Sequence, residues 1–545
     1  MKVAEELYSR HIFIFPFIWN CFNTHKNIED VDFTSRKTFK TIETILNNNV
    51  FLEPNSFSFE TIVDRKADEK GEKSYFNTYN EKKYFYEFAH SALNLTSDKK
   101  AIDTVQYKAI LSDDAYYSIS LKNPETTFTL GLKDVHVNFY TSGVGVVTFF
   151  LENDFKYKYD EILTINDYAR RIYPQFLGNS PGAFTSETKY SFLAERLEVK
   201  FNQGNGNTVV EDFSHYNDFS CIIENDSVLP AHVSKLLGYN FVTKIPDKPG
   251  KGQILIRPVI DDRMYTMCFI RDETVFNELR IWNTQENTYE YNQSSKWYRL
   301  LFVDNSKPLC TSKIMLANLN SISTYDRWID GQDNDNNPTG HLFGITRYSF
   351  ITLAHPGWFT DNLLHHHFTR IYYQMVLLAT IQRGSILSFS AELKRISYKI
   401  KDEDINTKDV ERISDLHKNY TIFLNRIFFR SVTAQEQGIE LYEMIMKNMQ
   451  IKEEAENLKA EIESLNEFVR NKEAHKLSWV ASLYLPAALV ASIICWFAPD
   501  IKTYNFRYLD IDELVAMFLL VLCVVFLLLF HKKINKTILW LTNKF

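Results

Sequence analysis

Two apolar runs near the carboxyl end of the chain, within the stretch from Lys476 to Phe545, organise the rest of the sequence. They read SWVASLYLPAALVASIICWFA at 478–498 and LVAMFLLVLCVVFLLLF at 514–530, and HKKINKTILWLTNKF follows at 531–545. Counted from Leu477, the first run holds no charge for 22 residues, and the second is 17 residues long. A helix needs ~20 apolar residues to cross a bilayer, so these lengths predict a membrane hairpin. A buried helical hairpin in a soluble core is the alternative.

The charges beside the two runs predict the orientation of this hairpin. Three basic residues precede the first run and three follow the second: Arg470, Lys472 and Lys476, then Lys532, Lys533 and Lys536. The connection between the runs is less basic, because two basic residues there face four acidic ones. Lys and Arg beside spans tend to stay in the cytoplasm. We therefore expect a multi-pass protein of the inner (plasma) membrane with both termini in the cytoplasm.

Composition restricts what the rest of the chain does. With 545 residues, the chain is long enough for a large folded part beside the hairpin. The chain has a formal net charge of −7, whereas proteins that bind nucleic acids are usually basic. No direct nucleic-acid partner is therefore expected. The six cysteines are scattered without a CxxC pair, which fits a reducing compartment.

Alternating apolar residues predict strands before residue 361. HIFIFPFIWNC at 11–21 has the composition of a buried strand. In TTFTLGLKDVHVNFYTSGVGVVTFFLEN at 126–153, two alternating runs flank Ser142-Gly143, which predicts a β-hairpin. A second hairpin is predicted where QILIRPVI and RMYTMCFI flank Asp261-Asp262, and further strands in KWYRLLFVD at 296–304 and HLFGITRYSFITL at 341–353.

From Asp361 onward the spacing of apolar residues becomes helical, beginning with Leu364, Phe368, Ile371, Met375 and Leu378. Further on, apolar residues recur at coiled-coil spacing, with Asn448 filling one position of the seam; they are Met444, Ile451, Ala455, Leu458, Ile462, Leu465 and Val469. This pattern predicts a long stalk helix that enters the first span without a linker.

These patterns together predict an α+β cytoplasmic domain with a mixed or antiparallel sheet, a long α-helical stalk and two C-terminal transmembrane helices. The predicted segments are an α/β ligand-sensing domain (1–360), a helical region with a coiled-coil-like stalk (361–475), a pore-lining transmembrane helix (476–498), an extracytoplasmic loop (499–513), a second transmembrane helix (514–530) and a basic cytoplasmic tail (531–545).

This organisation resembles that of the CorA-type divalent-cation channels. The match is most specific at ASLYLPAALVASI (481–493), where the family has a similar apolar segment with a proline, here Pro486. Asn471 lies where the family often has an asparagine at the inner end of the pore. The family's Gly-Met-Asn signature, which forms the ion entrance, is replaced by Cys495-Trp496-Phe497. The resemblance implies a homo-oligomer, a pentamer, in a lipid bilayer.

In size and in its lost signature the chain is similar to a subset of CorA-like proteins that accompany type III CRISPR systems. That resemblance implies an antiviral membrane effector, opened by a small nucleotide messenger that is an adduct of S-adenosylmethionine and AMP. A divalent-cation (Mg, Co or Zn) transporter regulated by cytoplasmic metal is the first alternative. A membrane-anchored sensor or scaffold without a pore is the second.

One face of the first apolar run carries small or weakly polar side chains that would line the pore of such a channel. It comprises Asn471, Ser478, Ala481, Leu485, Ala488, Ser492 and Cys495, with Cys495, Trp496 and Phe497 at the mouth. Small residues also pack membrane helices together, so the same face is compatible with helix packing alone.

Arginines in the first domain are the candidates for ligand binding. Arg170 and Arg171, in NDYARRIYP, have the bidentate geometry that holds a phosphate, with tyrosines nearby to stack on a base. Arg257, Arg263 and Arg271 in the second predicted hairpin are further candidates. Paired arginines on a helix also occur as a solvated face.

The sequence shows no nucleophile-and-base motif and no phosphate-cradling loop, so no enzyme is expected. DGQDNDNNPTG at 330–340 fails the EF-hand pattern, and consecutive histidines at 365–367 point in different directions on a helix. No catalytic residue, resident cofactor or metal site is predicted, although a regulatory divalent cation fits the family resemblance.

Overall fold

A computed structural model of the chain describes residues 8–21, 39–55, 79–96, 103–122, 124–172, 193–202, 207–213, 229–243, 253–260, 263–305, 309–399 and 407–497. The chain divides into two compact units. The larger comprises Met1–Ile400 and Ser414–Ala460, and the smaller comprises Lys401–Ile413 and Glu461–Phe545.

The larger unit is built on a mixed 14-stranded sheet, which agrees with the predicted α+β class. Its main path runs β14-β15-β16-β11-β1-β6-β5-β4-β7-β8, with β10, β9, β3 and β2 attached at the side. The strands are β1 Tyr8–Cys21, β2 Leu52–Pro54, β3 Thr104–Ala109, β4 Tyr116–Lys122, β5 Glu125–Tyr140, β6 Val144–Glu152, β7 Arg196–Lys200, β8 Thr208–Asp212, β9 Phe241–Val242, β10 Ile254–Pro258, β11 Tyr265–Arg271, β14 Thr324–Tyr325, β15 His341–Ile345 and β16 Ser349–Ala354; β12 Trp282–Asn283 and β13 Thr288–Tyr289 form a separate ribbon.

Helices lie beside this sheet and continue beyond it. They are α1 Lys40–Leu46, α2 Tyr159–Ala169, α3 Ala231–Leu237, α4 Glu273–Leu279, α5 Ser295–Phe302, α6 Lys313–Ser323, α7 Tyr373–Lys399, α8 Thr407–Arg426, α9 Glu436–Asn448 and α10 Ile451–Phe497. Short 3₁₀ turns occur at Glu87–Ala89 and Glu290–Gln293. Two π-helical turns, Thr360–Leu364 and His367–Tyr372, lead into α7.

The strand β1 lies at the centre of the core, as its apolar composition predicted. Alternate residues Phe13, Phe15, Phe17 and Trp19 are buried in one hydrophobic cluster with residues from α1, α2 and α3. Since successive side chains of a strand point to opposite faces, the other face of the sheet is free for a second layer. There α7 packs against β1 and β6. Both faces of the central strands are thus covered by helices.

The predicted hairpin at 126–153 is confirmed as β5 and β6, which pair antiparallel. Gly143 lies in its turn with φ +85°, a conformation that glycine adopts without strain. A Cβ at Gly145 would lie 2.4 Å from the Phe17 ring, so only glycine lets this ring lie flat against β6.

Two predictions for neighbouring segments are wrong. The strands β10 and β11 do not pair with each other; both pair antiparallel with β1, at residues 17–21 and 8–14 respectively, because the 14-residue β1 is long enough for both. KWYRLLFVD forms the helix α5 instead of a strand. The Ser294 hydroxyl caps this helix, and Trp297, Leu300 and Leu301 are buried at helical spacing.

The helical region after Asp361 is confirmed, but the unbroken stalk is not. Met375 and Leu378 are buried in α7, as predicted. The helix is interrupted between α9 and α10, where Gln450 has φ +57°. Asn448 fills no seam, because its Nδ2 donates to the Ile345 carbonyl at 2.9 Å. The seam residues Ile451, Ala455, Leu458, Ile462 and Val469 are already buried within one chain.

No helix in the described residues combines the length and the apolar surface needed to cross a membrane. This finding contradicts the predicted transmembrane helix at 476–498. It therefore also contradicts the CorA-like fold with two C-terminal spans, the classification as a membrane ion channel and the location in the inner membrane. The loop at 499–513, the second span at 514–530 and the tail at 531–545 lie outside the described residues.

The prediction rested on the absence of charge, and the run also contains hydroxyl groups. Ser478, Ser482, Tyr484 and Ser492 carry no charge, yet each places a polar group within the run. In α10 the hydroxyls of Ser482 and Ser492 donate to carbonyls of their own helix, each at 2.7 Å. The side chains of Tyr484 and Leu485 are exposed.

Candidate functional site

The predicted pair Arg170 and Arg171 lies at the end of α2 and is buried. Asp167, one turn earlier, accepts from both: its Oδ1 is 3.3 Å from Arg170 Nη2 and 2.7 Å from Arg171 Nη2. Arg170 Nη2 also donates to the Val303 carbonyl at 2.6 Å. Both arginines are thus engaged in the core instead of forming the solvated face that was the alternative.

Positive charge accumulates around this pair. Burial lowers the pKa of Arg170 to about 10, and the nearby guanidinium groups of Arg171 and Arg263 act in the same direction, while Asp167 opposes the shift. Main-chain pairing keeps Arg263 close, since Arg171 and Arg263 form an antiparallel bridge and the Met264 amide donates to the Arg170 carbonyl at 2.8 Å. Three of the five predicted arginines therefore lie together.

Arg263 also lines a cleft that lies between the sheet, α7 and the end of α9. The cleft is lined by Pro16, Ile260, Arg263, Tyr265, Arg347, Tyr348, Thr380, Arg383 and Met449. None of these described lining residues is acidic. Asp261 and Asp262, which precede Arg263, lie outside the described residues. We refer to this site as the arginine cleft.

The guanidinium groups in the arginine cleft are arranged around one tyrosine ring. The Cζ atoms of Arg263 and Arg383 lie 5.6 Å and 5.4 Å from the centroid of the Tyr348 ring. Each such cation–π contact stabilises the arrangement by about 0.5–1 kcal/mol at exposed sites and more where water is excluded. The third cation, Arg347, precedes Tyr348 in the turn between β15 and β16. Its Nη2 donates to the Gln450 side-chain oxygen.

The Tyr265 hydroxyl and the Arg383 Nε are buried in the cleft and find no hydrogen-bond partner among the described residues. Their side chains belong to residues that are 6% and 7% exposed. Burial also raises the pKa of Tyr265, so this hydroxyl stays protonated and is available as a donor. An unmade hydrogen bond of this kind costs about 1–3 kcal/mol. A bound water molecule or a ligand would satisfy these groups.

The conformation of Ile260 and the small volume of the cleft also bear on ligand binding. Ile260 has φ +86°, which is rare for a β-branched residue, and such strain concentrates at ligand-binding sites. The empty space in the cleft is about 270 Å³, counting the solvent at its mouth. The part that lies between the walls has room for about one water molecule. Any larger ligand, a phosphate group included, therefore requires the arginine and tyrosine side chains to part.

The remaining predicted residues lie elsewhere. Arg257 pairs with Ile18 in the β1–β10 ladder, and Arg271 lies at the far end of β11, where it binds Asp361 at 2.8 Å. The predicted pore-lining residues Asn471, Ser478, Ala481, Leu485, Ala488 and Ser492 form exposed positions of α10. The side chains of Cys495, Trp496 and Phe497 are outside what the structure describes.

Four residues of the arginine cleft were missed by the sequence analysis: Tyr265, Arg347, Tyr348 and Arg383. One signal was visible, because Arg383-Gly384 follows closely on the apolar run MVLLATI at 375–381. Their convergence depends on contacts between residues far apart in the chain. In the described residues, no cluster of His, Cys, Asp and Glu side chains has the arrangement of a metal site.

No protein-family model matches the chain, and no curated protein matches it. The resemblance to CorA-type proteins thus stays a prediction from sequence.

Proposed function

We propose that this chain is a sensor whose larger unit binds a small anionic ligand, of the nucleotide class, in the arginine cleft. The observation that carries the proposal is that Arg263 and Arg383 both pack on the Tyr348 ring while Arg347 lines the same cleft, beside a buried Tyr265 hydroxyl that has no partner among the described residues. Guanidinium groups bind phosphate oxygens by paired hydrogen bonds, and a tyrosine ring released from them stacks on a base.

The proposal keeps the predicted nucleotide ligand but not the membrane channel. The adduct of S-adenosylmethionine and AMP, and with it a role as a CRISPR-linked antiviral sensor, is the specific ligand hypothesis that the sequence resemblance supplies. Assembly into a homo-oligomer belongs to the same hypothesis. No catalytic step is assigned to the cleft, because its lining offers cations and tyrosines without a carboxylate or histidine to move a proton.

Arg383→Gln is expected to weaken nucleotide binding by about 10- to 100-fold, since a hydrogen bond to a charged group contributes roughly 1.5–3 kcal/mol. Isothermal titration calorimetry of the full chain measures this, with ATP, AMP, the S-adenosylmethionine–AMP adduct and inorganic phosphate as probes. Arg430→Gln is the matched control, because Arg430 is exposed and its ion pair with Glu456 is at 3.3 Å. The proposal fails if no probe binds, or if the two variants bind equally well.

Tyr265→Phe is expected to raise the stability of the chain and to weaken its binding of the anion. Removal of a buried hydroxyl without a partner relieves its desolvation cost, so the free energy of unfolding should rise by about 1 kcal/mol. The same change removes a donor from the cleft and should weaken binding of the anion. Urea denaturation and calorimetry on one preparation measure both effects. A variant that is less stable and binds normally would show that the hydroxyl has a structural role only.

A further inference from the structure

The arginine cleft and the break between α9 and α10 share one side chain. Arg347 lines the cleft and also donates to the side-chain oxygen of Gln450, the residue just before α10. Met449, beside it, is 1% exposed and forms part of the cleft wall. Two residues of the cleft lining, Arg347 and Met449, therefore lie next to the start of α10. We call Met449 and Gln450 the joint.

The joint ends α9 in a left-handed turn. Gln450 has φ +57°, which is common directly after a helix but is adopted less often by glutamine than by glycine. The Gln450 amide donates to the Lys447 carbonyl at 3.0 Å, so part of this conformation is local. Two contacts with the β15–β16 hairpin add to it: Asn448 Nδ2 donates to the Ile345 carbonyl at 2.9 Å, and Arg347 binds Gln450.

Arg383, which lines the cleft, also contacts the turn between β15 and β16. Arg383 Nη1 lies 3.4 Å from the Arg347 carbonyl, and its guanidinium group also packs on the Tyr348 ring. A ligand that parts Arg383 from Tyr348 therefore disturbs the same turn that carries Arg347. No other element needs to move for the disturbance to reach the joint.

We propose that Arg347 is a switch, which an anion in the cleft takes away from Gln450. This inference rests on the proposed function, since it requires an anionic ligand in the arginine cleft. A phosphate oxygen carries a full negative charge and competes with the neutral amide oxygen for the same guanidinium group. Loss of the Arg347–Gln450 bond loosens the joint at Met449 and Gln450, while the buried residues Ile451, Ala455 and Leu458 keep the rest of α10 in place. The coupling is reciprocal: whatever weakens the bond strengthens ligand binding.

Gln450→Asn tests the reciprocity. Asparagine tolerates a positive φ but is one methylene shorter, so the joint keeps its backbone while the bond to Arg347 is lost. We expect this variant of the full chain to bind ATP, or whichever probe binds the native chain most tightly, about 5-fold more tightly. Gln450→Gly should show the same direction of change. Gln435→Asn, at the other end of α9, is the matched control and should leave affinity unchanged.

Hydrogen–deuterium exchange of the same proteins provides the second measurement. The probe should raise exchange at 447–454 in the native chain, whereas Gln450→Asn should show raised exchange there before any probe is added. Unchanged affinity in both Gln450 variants, or protection of 447–454 by the probe, overturns the switch while leaving the proposed function intact. Absence of binding to the native chain overturns the proposed function itself.

Discussion

Asp167→Ala is expected to lower the free energy of unfolding by about 3–5 kcal/mol, because it leaves two buried guanidinium groups without their shared carboxylate. Asp167 is 3% exposed, and Arg170 and Arg171 are 4% and 8% exposed. Water cannot replace the lost partner at this depth. Urea denaturation of the full chain, followed by circular dichroism, measures the change.

Two controls separate the buried charge from other effects of the substitution. Asp154→Ala removes a carboxylate whose ion pair with Lys133, at 2.9 Å, is largely exposed, and should cost at most about 1 kcal/mol. A triple variant, with Asp167→Leu and both arginines changed to Met, should lose much less stability than Asp167→Ala, since it leaves no uncompensated charge. Equal losses in all three variants would show that the buried charge is not the cause.

The sequence already contained the reason why Arg170 and Arg171 pair with Asp167. In NDYARR, Asp167 precedes them by three and four positions, and residues at these spacings meet on one face of a helix. What the sequence could not reveal is that this face packs inward, against the chain near Val303 and Arg263. Burial of that face depends on residues more than 90 positions away.

Predictions of the fold were confirmed where the interacting residues are close in sequence, and they were wrong where these residues are far apart. The β5–β6 hairpin was predictable because its strands are adjacent and its turn contains Gly143. The position of β11, between β1 and β16, was not, since both partners are distant in sequence. The arginine cleft was not predictable either, because its lining comes from distant parts of the chain: β1, β11, α7, the joint and two turns.

Acidification from pH 7 to pH 5 is expected to destabilise the larger unit through its buried histidines, and His232 and His11 are the most deeply buried of those the structure describes. Burial lowers the pKa of His232 to about 3 and that of His11 to about 4, from 6.5. His232 packs edge-on against Tyr117 and Phe149, and neither of its ring nitrogens has a hydrogen-bond partner. Both histidines are therefore neutral in the folded chain at pH 5, whereas they are protonated when the chain unfolds.

The sign of the effect follows from these depressed values. A folded-state pKa below the unfolded one gives stability that is complete above pH 6.5 and is lost as the pH falls toward the folded value. At pH 5 each histidine should account for a loss of about 2 kcal/mol, at 1.36 kcal/mol for each pH unit below 6.5. Urea denaturation at pH 7 and pH 5 measures the loss.

His232→Leu isolates one of the two contributions. The leucine places an apolar side chain of similar size between the same rings and cannot bind a proton, so the difference in stability between pH 7 and pH 5 should shrink by about 2 kcal/mol. His475→Leu, at an exposed position of α10, should leave that difference unchanged. Carboxylates that titrate below pH 5 affect all the proteins alike and cancel in this comparison. An identical acid response in both variants would mean that water reaches His232 in the folded chain, which would contradict its burial in the core.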